Sequence, residues 1–194
     1  MNRRLRVVCL LAVVAISVGL VAVAPVSATA SQSAGESVST TNDTFPVTLT
    51  DATGTAVTVE SRPEHVTTTN PSAAQTMWTL GAAEQVVGVT QYASYLDGTE
   101  TRQNVSAAGL GVSVERVVAT EPDLVLAPNA TSRETIITLR AANLTVYHFP
   151  AATDFAAVAR KTQTIGRLTG NTAAATETNA WMWRNVAAVD SRTP

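Results

Sequence analysis

Tyr92 and Tyr95 stand three residues apart in Thr90-Gln91-Tyr92-Ala93-Ser94-Tyr95-Leu96-Asp97-Gly98, directly after the apolar run Val86-Val87-Gly88-Val89. Each phenol joins a flat apolar face to a polar tip. Such a pair in a loop can lie against a ligand, or can fold back onto its own strand. Upstream, Asn70-Pro71 places a capping residue before a proline, which a helix start alone explains. Glu115, taken by itself, is an ordinary solvated helix acid. His65 and His148 are the only histidines, and no ligand-type residues cluster around either, so both read as structural and no metal site is expected. Gly109-Leu110-Gly111 lacks the third glycine of a dinucleotide fingerprint, because Val114 occupies that place. There is no G-x-S-x-G elbow, no P-loop and no paired-carboxylate motif, so neither catalytic residues nor a cofactor are expected. The residues point to binding rather than catalysis.

The elements that must position these residues alternate between strand and helix. From Val114 to Phe149 the chain reads as a short helix, a strand, a second helix and a second strand. Pro122 stops the first helix, and Leu124-Val125-Leu126-Ala127 has no polar alternation, as expected of a parallel strand covered on both faces. Thr131 and Glu134 have the spacing of a capping box, so a helix should begin there, turn Ile136, Ile137 and Leu139 inward, and end at Asn143 before a strand over Val146–Phe149. Strand, helix and strand at this spacing predict a right-handed crossover unit. Earlier, Val47-Thr48-Leu49 and Val57-Thr58-Val59 flank Asp51-Ala52-Thr53-Gly54, a hairpin turn. Val66-Thr67-Thr68 leads into a helix through Ala74, Met77, Trp78 and Leu80, which Gly81 ends. After Asp154 a helix should carry Phe155, Val158, Ile165 and Leu168 on one face, broken by Gly170-Asn171. A final helix carries Trp181 and Trp183, which cannot share a face, so at least one should be exposed. The expected class is α/β: a Rossmann-like parallel sheet flanked by helices, with a small N-terminal hairpin.

The first residues hold Arg3, Arg4 and Arg6 without an acid, then an apolar run to about Ala24 and small-residue sites at Val26-Ser27-Ala28 and Ala28-Thr29-Ala30. This reads as a secretory signal peptide over residues 1–30, by a twin-arginine or the ordinary route, although a run of this length can also stay uncleaved as an anchor. Cys9 lies inside it, too early for lipid attachment, so the mature chain has no thiol. Residues 1–30 hold three of the 13 basic residues and none of the 15 acids, which leaves ten basic residues against 15 acids, a net of −5. Binding of nucleic acid through a basic surface is disfavoured. Lys161 is the one lysine. Few lysines, many threonines and mild acidity fit a secreted protein of a halophile. The full chain is 45% apolar, and the part after residue 30 is long enough to fill one core. Asn42, Asn104, Asn129 and Asn143 each begin an N-x-Ser/Thr sequon, as on an extracellular surface, though threonine-rich chains also produce such triplets by chance.

Set in order, Asn70-Pro71-Ser72-Ala73-Ala74, Val87-Gly88-Val89-Thr90, Val114-Glu115-Arg116-Val117-Val118 with Glu121-Pro122-Asp123-Leu124-Val125-Leu126-Ala127, and Leu144-Thr145-Val146-Tyr147 resemble the substrate-binding proteins of ABC importers for iron chelates, cobalamin and haem. The resemblance spans about residues 46–189. It implies a first lobe over 45–170 after a flexible polar leader at 31–44, with 171–194 as a truncated start of the helix that joins two lobes. It implies a metal-chelate ligand in an interlobe cleft, with Asn70 and Ser72 at a helix N-terminus that favours anionic or acceptor groups, and Tyr92 and Tyr95 against a ring. Glu115 matches the acid that docks on an arginine of the membrane permease. The expected role is extracytoplasmic capture and delivery of a ferric siderophore, cobalamin or haem, with no chemistry on the ligand. A structural module of the cell envelope and an inactive product of a truncated gene are the alternatives.

Overall fold

The computed structural model describes residues 44–191. The signal sequence, nearly all of the leader, and Asn42 lie outside the described residues. The hairpin forms as expected: β1 (Val47–Thr50) pairs antiparallel with β2 (Ala56–Val59). Its turn is organised by Asp51, whose carboxylate accepts hydrogen bonds from the Thr53 N–H (2.8 Å), the Thr53 hydroxyl (2.7 Å) and the Thr55 N–H (3.2 Å). Gly54 takes φ 81° there, a left-handed conformation that a side chain resists.

Five short strands form one parallel sheet in the order β5-β4-β3-β6-β7. They are β3 (Val66–Thr68), β4 (Val86–Val89), β5 (Gln103–Asn104), β6 (Leu124–Ala127) and β7 (Val146–His148). The first strand to enter the sheet, β3, lies at its centre, so the chain builds outward to one edge and then returns to build toward the other. That return brings β6 alongside β3, pairing Val66 with Leu124 and Thr68 with Leu126.

The helices are α1 (Pro71–Thr79), α2 (Val114–Ala119), α3 (Arg133–Ala141), α4 (Phe155–Thr169) and α5 (Thr172–Asp190). Strand residues two apart share a face. Leu124 and Leu126 therefore pack in one apolar cluster with Met77 of α1, Ile165 and Leu168 of α4 and Val57 and Val59 of the hairpin. Val125, Ala127 and Val146 pack in a second cluster with Val117 of α2 and Ile136 and Leu139 of α3. Two helical layers thus cover both faces of the sheet, which is why β4 and β6 lack polar alternation. Gly88 of β4 lies where a Cβ would come within 2.7 Å of the Thr67 hydroxyl and 2.9 Å of a Thr120 methyl, so this position leaves no room for a side chain without a shift of its neighbours.

Three sequence expectations are corrected. The N-cap of α3 is Ser132, whose hydroxyl accepts from the Thr135 N–H at 3.1 Å. Thr131 is instead buried and its hydroxyl bonds to Thr69 at 2.7 Å, so the capping-box spacing was one residue out of phase with the helix. Replacing Ser132 by Ala is expected to cost about 1 kcal/mol in urea unfolding; a loss no larger than that of a nearby exposed Ser→Ala control would reject the cap. Ile137 is exposed, because adjacent residues on an α-helix point about 100° apart and the side facing the sheet is the one that carries Ile136 and Leu139. On α4, Ile165 and Leu168 are buried while Phe155 and Val158 are exposed, since only the C-terminal half of that helix lies over the apolar cluster.

Gly170 (φ 70°) ends α4, and α5 runs back along it. Gly166 meets Ala175 so closely that an added Cβ would lie 2.5 Å from the Ala175 Cβ, and Asn179 donates to the Ala159 carbonyl at 2.9 Å. Trp181 and Trp183 are both exposed. Among the described residues no helix is long and apolar enough to cross a membrane.

Candidate ligand-binding site

In an open parallel sheet the carboxyl ends of the strands leave a crevice where two neighbouring strands send their chains to opposite sides. Here that point lies between β3 and β6. The Thr69 N–H donates to the Leu126 carbonyl (3.1 Å), and the Thr69 and Thr131 hydroxyls share a buried hydrogen bond. These contacts hold the loops after the two strands side by side, with Asn70 leaving one and Asn129 the other.

Two hollows open at this edge. The larger, about 630 Å³, is lined by Asn70, Ser72, Tyr95, Asn129, Val158 and Lys161 among others. The second, about 490 Å³, is lined by Asn70, Tyr92, Leu110, Thr131 and Ser132 among others. Asn70 and Pro71 belong to both and form the ridge between them. The four ligand-contact residues expected from the sequence therefore meet at one edge, but the tyrosines divide: Tyr95 joins Ser72, and Tyr92 faces the neighbouring hollow.

Local structure explains why the tyrosines point outward. After β4 the chain makes a short 3-10 turn over Gln91–Ala93, and Ala93 and Leu96 are buried as anchors. The Trp78 indole N–H donates to the Asp97 carbonyl at 2.7 Å, and the Gln91 N–H donates to the Ser106 hydroxyl at 2.8 Å. With both ends tied, Tyr92 and Tyr95 are left 47% and 61% exposed. At the ridge, the Asn70 side-chain oxygen caps α1 by accepting from the Ser72 N–H at 2.9 Å. The same residue thus caps α1 and lines both hollows.

Lys161 was not foreseen as a site residue. It reaches from α4 to donate to the Ser72 hydroxyl at 2.8 Å, and burial pushes its amine below the usual lysine range. Its being the one lysine in the chain was visible in the sequence, but its contact joins residues 89 positions apart, which no local pattern reports.

Glu115 lies away from both hollows, in the first turn of α2. Its carboxylate accepts from the Ser113 hydroxyl at 2.7 Å, and that bond holds its pKa below the usual glutamate value. It is exposed, and the ion pairs among the described residues, Arg102–Glu84 and Arg140–Asp51, leave it without a basic partner. Of the sequons, Asn143 is exposed; Asn104 accepts from the Ser106 N–H at 2.9 Å while Ser106 itself is buried; and Asn129 lines the larger hollow, which a glycan there would fill. The His148 ring nitrogen lies 3.0 Å from the Ala127 carbonyl, a structural contact. Among the described residues no group of three or more His, Cys, Asp or Glu side chains could hold a metal ion.

The model of the family described as "Periplasmic binding protein" matches residues 66–194, and the chain belongs to that family. Over 151 residues it is 52% identical to a cobalamin-binding protein of Halobacterium salinarum, a match covering 77% of this chain and 41% of the relative. In fold it is similar to the heme binding protein HmuT, with a TM-score of 0.65, 23% identity, and 78% of this chain and 50% of that one covered. An ABC-type Fe3+-hydroxamate transport system protein of Saccharomonospora viridis aligns at a TM-score of 0.58 with 29% identity, over 76% of this chain and 57% of that one. The chain thus spans about half the length of the relatives it matches. Those relatives are named for binding or transport and not as enzymes.

Proposed function

We propose that residues 45–170 form one wall of the ligand cleft of an extracytoplasmic solute-binding protein of an ABC importer, and that residues 171–194 begin the helix leading out of this lobe. The proposed cargo is a metal chelate, with cobalamin first and haem or a ferric siderophore as the other members of the class. The observation that carries this reading is the convergence of Asn70, Ser72 and outward-facing Tyr95 on a hollow at the carboxyl edge of the sheet, between β3 and β6. A corrin ring offers a broad apolar face edged with amides, which matches a tyrosine face and the Asn70 and Ser72 polar groups. The 52% identity to a protein named for binding cobalamin supports the choice within the class. Residues 1–30 would direct export, and Glu115, exposed and without a basic partner, would offer a carboxylate to an arginine of the permease.

Titration of the full chain with cobalamin, haem and a ferric hydroxamate, followed by tryptophan fluorescence and calorimetry, tests the reading. Cobalamin is expected to bind, and Tyr95→Ala to weaken it about tenfold, the scale of one lost aromatic contact. Absence of binding by all three ligands at millimolar concentration overturns capture by this chain.

A further inference from the structure

Lys161 lines the large hollow and also a second one of about 380 Å³ between the hairpin turn and α4. An ammonium group has three donors, and here one is used, on the Ser72 hydroxyl. No carboxylate balances it. The larger hollow has no acidic residue in its lining, and the smaller has only Asp51, whose oxygens are engaged by Thr53, Thr55, Arg140 and the His148 N–H. Neither ion pair among the described residues, Arg102–Glu84 or Arg140–Asp51, includes Lys161. A partly buried cation with no counter-charge is held at a cost, which an anionic oxygen entering the hollow would remove. Ser72 belongs to the first turn of α1, whose dipole adds positive potential at the same place.

We propose that Lys161 is the anchor for an anionic oxygen group, a phosphodiester or carboxylate, carried by the ring-bearing cargo and held against Ser72 beside Tyr95. This rests on the reading of the cleft as a chelate site and adds which part of the cargo is read there. Among corrinoids it selects those with the phosphodiester of the nucleotide loop over cobinamide, which has the same ring and no phosphate.

A single lysine makes the test site-specific. Reductive methylation of the full chain with 13C-formaldehyde keeps the charge and gives one side-chain dimethylamine resonance, distinct from the α-amino signal. Titration with cobalamin and with dimethyl phosphate is expected to move that resonance, and cobinamide to leave it in place. In unlabelled protein Lys161→Gln should weaken cobalamin about tenfold, as the loss of a charge-assisted hydrogen bond does, while leaving cobinamide within twofold; Lys161→Arg should retain the preference. If no corrinoid binds but dimethyl phosphate moves the resonance, the anion site stands and the cargo reading falls. Cobalamin binding with an unmoved resonance and unchanged affinity in Lys161→Gln overturns the anchor and leaves the cargo reading in place. A resonance silent to every probe overturns the anchor as well.

Discussion

Replacing Asp51 by Asn is expected to lower the stability of the lobe by about 2–3 kcal/mol, measured as a shift in urea midpoint at constant slope. The Asp51 carboxylate is fully enclosed and pairs with Arg140 of α3, and it also accepts from the His148 N–H at the end of β7. One side chain therefore joins the hairpin to the sheet and to the far helical layer. Asparagine keeps an acceptor for the turn but leaves Arg140 without its counter-charge. A loss below 1 kcal/mol would show that the pair contributes little beyond its turn hydrogen bonds. Burial by itself would push this carboxyl up, but the hydrogen bonds from Thr53, Arg140 and the two backbone N–H groups outweigh it and hold the pKa below the ordinary 3.8. A depressed native value means that the contribution is complete above that ordinary value and disappears as pH falls from it through the native one. The gap between wild type and Asp51→Asn should accordingly be full at pH 7 and close in acid, and a gap independent of pH would contradict the assignment.

Replacing Gly166 by Ala should destabilise the protein, against helix propensity. In the interior of α4 the exchange would by itself gain about 1 kcal/mol. The added methyl would sit 2.5 Å from the Ala175 Cβ and 3.0 Å from the Asn171 carbonyl oxygen, both at the start of α5, and overpacking of that kind costs about 1–3 kcal/mol. Packing is expected to win because Asn171 is pinned, its amide donating to Gln85 at 2.7 Å and to the Thr169 carbonyl at 3.0 Å, so α5 cannot simply move out. The double variant Gly166→Ala with Ala175→Gly should recover part of the loss as a favourable coupling term. A stabilised single variant would mean that the two helices do not approach this closely in solution.

Much of the architecture was readable without coordinates, because its signals are local. The hairpin turn at Asp51–Gly54, the Asn70-Pro71 start of α1, the continuous apolar strand Leu124–Ala127 and the glycine stop of α4 each depend on backbone preference or on burial within a few residues. The failures share a cause. Thr131 and Ser132 are both competent caps, and the choice was made by Thr69, 62 positions away, which takes the Thr131 hydroxyl into the core. Phe155 and Val158 have the helical spacing of a buried face, yet Val158 lines the larger hollow and Phe155 an open recess beside Trp181 and Val189 of α5, and periodicity reports which residues share a face without reporting where the covering layer stops.

The candidate site divides along the same line. Its residue types, a capping asparagine, a serine and two loop tyrosines, and their order along the chain were determined by the sequence, as was the α/β class, since both follow from short-range pattern. Their grouping was decided by tertiary structure. The return of the chain from β5 to β6 sets Asn129 beside Asn70, the anchoring of Ala93 and Leu96 turns the two tyrosines into different hollows, and α4 brings Lys161 onto Ser72 from 89 residues away. Contacts of that range are made only when the packed layers close, and the position of the one lysine relative to the larger hollow is therefore a property of the fold.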